Sequence, residues 1–117
     1  MNDTKDKNAI AYLVSYNISR FTDAAESLAK AQAELQIANT IIERFGDLEE
    51  FERGNADDNK VSRRMSVYAK LQQEAKEAIQ DAARRILVYA GELRELGYNT
   101  NEDPSVKEAN AVLGINA

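Results

Sequence analysis

The sequence predicts an all-α protein, a long antiparallel helical hairpin followed by a short C-terminal helix. Apolar residues recur at alternating steps of three and four along two extended segments, the spacing of one helix face. In the first segment the stripe is Ile10, Val14, Asn17, Phe21, Ala24, Leu28, Ala31, Leu35, Ala38, Ile42 and Phe45. In the second it is Val61, Met65, Tyr68, Gln72, Ala75, Ile79, Ala82, Ile86, Tyr89, Leu93 and Leu96. From Phe21 to Ile42 a large residue alternates with alanine, as in a closely packed coiled-coil seam. Five glycines and one proline among 117 residues leave few places where a helix must stop.

The first helix is expected over residues 8–45, closed by Gly46 in a left-handed conformation. Asp23 and Glu26 have capping-box spacing, which would permit a break near Thr22. The stripe keeps its phase through Val14, Asn17, Phe21 and Ala24, so one continuous helix is favoured. Asp47 with Glu50 again has capping-box spacing, Leu48 and Phe51 lie three apart, and Gly54 can end a turn. A short helix over residues 48–53 and a polar connector over 55–59 follow from those signals.

The second long helix is expected over residues 60–96. Gly97 followed by Tyr98 suits a Schellman ending, with Tyr98 folding back on Leu93. Gly91 lies inside this helix at a cost of about 1 kcal/mol relative to alanine. After the linker "NTNED", Pro104 fits the first position of a helix capped by Asp103. Val106, Ala109, Val112 and Leu113 share one face of that final helix, over residues 104–113. All of these elements fit a single domain, 1–117.

A connector of this length makes antiparallel packing the simplest arrangement, with facing residue numbers summing to about 106. Asn17 then faces Tyr89, whose hydroxyl it is expected to meet as a register-fixing polar layer. Apolar residues off the stripe form two patches. Near the connector, Ile37, Ile41, Val67 and Leu71 are expected to lie under Leu48 and Phe51. Near the open end, Tyr12, Leu13, Tyr16, Leu87 and Val88 are expected to lie under the C-terminal helix. Two helices make a thin core, so a dimeric four-helix bundle is expected first, and docking on another protein second.

Composition narrows the chemistry. The chain has neither Cys nor His, which removes thiolate sites, disulfides and the commonest general base and transition-metal ligand together. Only carboxylates remain as metal ligands, favouring hard ions. The acidic connector region holds Glu49, Glu50, Glu52, Asp57 and Asp58, and residues 43–58 carry seven acids against two bases. It lacks the glycine and terminal glutamate of an EF-hand loop, so no metal and no cofactor is expected. Ser and Thr residues have no base of suitable type beside them, and no paired carboxylates stand out, so an enzyme is not expected.

Residues 60–90 carry seven bases against three acids, although the whole chain is at −5. The pairs Arg63–Arg64 and Arg84–Arg85 could touch phosphates, but adjacent helical residues point about 100° apart. Nucleic acid or nucleotide binding is therefore the alternative rather than the leading reading. No apolar run has signal-peptide or membrane-spanning character, and a cytoplasmic location is expected.

In architecture the chain is similar to the small secreted WXG100 hairpins, whose turn carries Trp-x-Gly and whose tail carries Tyr-x-x-x-Asp/Glu. Tyr98 and Glu102 in "YNTNE" meet the tail pattern, while the turn region reads "ERFGD" without Trp. That resemblance implies a secreted helical hairpin as a further alternative. The function expected from the residues themselves is a protein–protein interaction module, acting as adaptor, assembly factor or inhibitor through helix surface and an acidic tip. Its interface would comprise Ile37, Ile41, Leu48, Phe51, Val67 and Leu71, in a homodimer or against a protein partner.

Overall fold

The computed structural model describes the backbone of residues 2–52 and 58–115, with side chains over 7–44 and 65–115. Among these residues the regular structure is entirely helical. Helix α1 spans Asn2–Glu52, α2 spans Asp58–Glu95 and α3 spans Pro104–Leu113. The chain divides into two compact units. The first comprises Met1–Leu28 with Ile79–Ala117, and the second comprises Ala29–Ala78.

Helix α1 differs from expectation at both ends. It begins six residues earlier than position 8, and it runs through Gly46 to Glu52, absorbing the separate turn helix expected over 48–53. Glycine permits a left-handed cap without requiring one, and inside a helix it costs only about 1 kcal/mol. No break occurs at Thr22. Its hydroxyl donates to the Ile18 carbonyl at 2.9 Å, so the side chain serves its own helix instead of capping a new one. Of the connector expected over 55–59, residues 55–57 lie outside the described residues and 58–59 belong to α2, while the side chains of Leu48 and Phe51 also lie outside them.

The first unit has a three-helix core. Ala24 and Leu28 of α1, Ile79, Ala82, Ala83, Ile86, Ala90 and Leu93 of α2, and Val106 and Ala109 of α3 are all buried. Ala83 and Ala90 lie off the α2 stripe and widen its buried face. The segment joining α2 to α3 is tied back, because the buried Thr100 hydroxyl donates to the Ala90 carbonyl at 3.2 Å. Arg94 Nη1 also donates to Asn101 Oδ1 at 3.2 Å.

Local chemistry fixes both ends of this segment. The Tyr98 amide donates to the Leu93 carbonyl at 3.0 Å and the Gly97 amide to the Arg94 carbonyl at 3.0 Å. With Gly97 at φ +100°, these form the expected Schellman ending. Asp103 caps α3 by accepting from the Ser105 amide at 2.8 Å, with Pro104 in the first turn. Gly114, at φ 70°, closes α3 with a second ending of the same kind, the Ile115 amide reaching the Asn110 carbonyl at 2.8 Å.

Among the described side chains of the second unit, the buried apolar residues are Ala31, Ala38 and Ala75. Leu35 and Ile42 of α1 and Met65 and Tyr68 of α2 are only half-buried. Gln72 Nε2 donates to Asn39 Oδ1 at 2.6 Å across the helix pair. That contact corrects the register, since 39 and 72 sum to 111 instead of about 106. The physical reason is the persistence of α1 through Gly46 to Glu52, beyond the helix end expected at Phe45.

Two glycines of α2's last turns respond oppositely to a methyl group. A Cβ at Gly91 would meet only Arg94 Nη2, at 3.8 Å, so Gly91→Ala should raise stability by about 0.5–1 kcal/mol. Gly97 has free space but positive φ, so Gly97→Ala should lower it by about 1–2 kcal/mol. Urea denaturation followed by circular dichroism measures both.

Candidate interaction surface

In the first unit, every residue over 7–13 is exposed although this segment is helical. Ile10, expected in the seam, is 49% exposed, and Asn17 is the first residue of the described stripe to be buried. The reason is that α2 stops at Glu95, and its last buried residue is Leu93. Lys7, Ile10, Ala11, Val14, Ser15 and Ile18 instead form one wall of an open groove of about 460 Å3, completed by Tyr98. The Tyr98 backbone closes α2 as expected, while its half-exposed ring lines this groove.

The expected cover of the open-end patch is absent. Tyr12 is 70% exposed and Val88 60%, with Leu13 and Tyr16 near half, and only Leu87 of that group is half-buried. Helix α3 spends its apolar face on Val106 and Ala109, which are buried, leaving Val112 and Leu113 half-buried. Nor does Asn17 reach Tyr89. Its Nδ2 donates to the Leu13 carbonyl at 2.9 Å, one turn back on α1, which satisfies the buried amide without a cross-helix layer. Arg20 lies with its guanidinium carbon 5.3 Å from the centroid of the Tyr16 ring, a cation–π contact on the same side of α1.

In the second unit, Ile37, Val67 and Leu71 are 60%, 56% and 47% exposed, and Ile41 is half-buried. Four of the six residues expected at the interface are thus available on the surface of one unit. Leu48 and Phe51 lie outside the described side chains. So do the acidic residues Glu49, Glu50, Glu52, Asp57 and Asp58, and the pair Arg63 and Arg64.

Of the remaining sites considered for phosphate, Arg84 is exposed, and Arg85 is ion-paired with Asp81 at 2.7 Å. No group of three or more acidic residues among those described is placed to hold a metal ion. No helix of the described residues is long and apolar enough to cross a membrane. Glu102, the acidic member of the tail pattern, pairs with Lys107 at 3.2 Å.

Comparison of the chain with protein families, with curated proteins and with solved structures gave no match. The surface must therefore be read from its own chemistry. The groove and its flank carry a sequence signal that the stripe reading passes over. Residues 8–19 contain no charged side chain, in a chain that is 30% charged. A helical segment that is exposed, apolar on more than one side and uncharged is suited to contact with another molecule.

Groove and core residues should separate on truncation. Ile86→Ala empties a fully buried site and should cost about 2–5 kcal/mol. Ile10→Ala removes a half-exposed side chain and should cost less than about 1 kcal/mol. Paired thermal unfolding curves check the contrast.

Proposed function

We propose that this chain is a non-enzymatic interaction module that presents helix surface to protein, with a homodimeric four-helix bundle as its leading assembly. The observation carrying the proposal is the make-up of the second unit. There the described helix pair buries only alanines, while Ile37, Val67 and Leu71 stand near or above half exposure. Two helices cannot enclose a large side chain on every side, and a second pair supplies the missing walls.

The groove and uncharged segment of the first unit add to the same reading, because they too expose apolar residues on a regular helix. Such a module works by geometry: it holds a fixed apolar strip and its charged margins in register for a complementary surface. Adaptor, assembly factor and inhibitor are the roles that this mode of action serves. The acidic residues 43–58 would then bias partner choice toward basic surface.

Size-exclusion chromatography with light scattering tests the assembly. The wild-type chain should run as a dimer at micromolar concentration, and a monomer would refute the homodimer. Ile37→Glu and Leu71→Glu should each shift the mass toward monomer, while changing the unfolding free energy of the isolated chain by no more than about 0.5 kcal/mol. Loss of helical signal in these variants would show that the residues serve the fold instead.

A further inference from the structure

The open groove of the first unit has a regular wall. Lys7, Ala11, Val14 and Ile18 follow one another at steps of four, three and four, the spacing of a single helix face. Ile10 and Ser15 flank that line, and the Tyr98 ring forms the opposite wall. All of these residues belong to the first unit. The α1 wall is about 17 Å long, three turns of helix. Ile10, Ile18 and Tyr98 are each about half exposed, and Val14 is half-buried.

The shape and chemistry of this wall select its occupant. A groove this open encloses no compact ligand, whose binding needs most of its surface buried. An extended peptide fits no better. The backbone donors and acceptors of α1 are committed within the helix, so they leave such a peptide's own groups unpaired against apolar carbon. A helix satisfies its backbone internally and needs only side-chain contact. The wall with its flanks also has the width that one helix presents to another, about 100° of arc or more.

Charge defines the partner's side. Lys7 is the only charged residue lining the groove, at one end of the wall, and residues 8–19 contain none. Among the described residues Lys7 takes part in no ion pair. A second copy offering the same segment has no acid to meet it, because the chain runs from Lys7 to Arg20 without one.

We propose that the groove receives an amphipathic helix of a different protein, with apolar residues at steps of three and four and an acidic residue at the end that lies over Lys7. The apolar line covers Ala11, Val14 and Ile18, and the carboxylate pairs with the Lys7 ammonium. The small side chains of Ala11 and Ser15 let larger ones of the partner seat beside Ile10, Val14 and Ile18. This deepens the interaction-module reading and rests on it, but it uses other residues than the homodimer does.

Two capped helical peptides of about 18 residues serve as probes. Both carry Leu and Ala at steps of three and four along one face. One has Glu, and the other Lys, at both ends of that face. Fluorescence anisotropy at low salt, where exposed charges are least screened, reads their affinity for the full chain. The Glu peptide should bind about fivefold tighter or more than the Lys peptide, and Lys7→Glu should invert that order. Ile18→Glu should weaken binding of the Glu peptide by about tenfold or more, with its circular dichroism unchanged.

No binding of either peptide at about 1 mM, equal affinity for the two, or an Ile18→Glu variant that binds as wild type overturns the proposal. So does an Ile18→Glu variant whose mass in light scattering falls below that of wild type, since that assigns the groove to a second copy. A monomeric wild-type chain that still prefers the Glu peptide refutes the homodimer and supports the groove helix. A dimer that binds neither peptide does the reverse.

Discussion

Close approach of helices through alanine is the constraint on which the rest of this structure depends. At Ala24, Ala31, Ala38, Ala75 and Ala82 the side chain is a single methyl group, and each is buried. A methyl group is small enough to be covered completely by the facing helix. The larger stripe residues then sit beside the line of contact, where a lone pair of helices covers only one side of them. Leu35, Ile42, Met65 and Tyr68 show this consequence in the second unit, each half-buried.

A third helix changes the outcome. In the first unit α3 and the tied-back segment before it contribute Thr100, Val106 and Ala109 to the buried set, and Leu28, Ile79, Ile86 and Leu93 are buried as well. Burial of large aliphatic residues contributes most of the stabilisation available to a chain of this size. Among the described residues, the large aliphatic side chains that are buried all lie in the first unit. Polar contacts do not follow that division. Asn17 and Thr22 in the first unit and Thr40 in the second return their donors to their own helix, while Thr100 in the first unit and Gln72 in the second donate to another segment.

A narrow seam also leaves the sides of the helices free to carry information. In the first unit, α1 holds the uncharged residues 8–19, several of which line the groove.

Helical class, two long stripes, the cap at Gly97 and the Asp103–Pro104 start of α3 were legible because each depends on residues within a turn or two of one another. The four off-stripe residues Ile37, Ile41, Val67 and Leu71 were legible as surplus apolar character for the same reason. Three features were not. Gly46 reads as a stop, but whether a helix accepts the stop depends on what lies beyond it. Asn17 reads as a cross-helix donor, yet the choice between Tyr89 and the Leu13 carbonyl depends on distances between helices. The C-terminal helix reads as cover for Tyr12 and Tyr16, yet it spends its apolar face on Val106 and Ala109. The sequence alone determined which faces are apolar and where local caps form, since those are properties of spacing and nearby hydrogen bonds. Tertiary structure decided register, cover and exposure, because these depend on which surfaces meet in space.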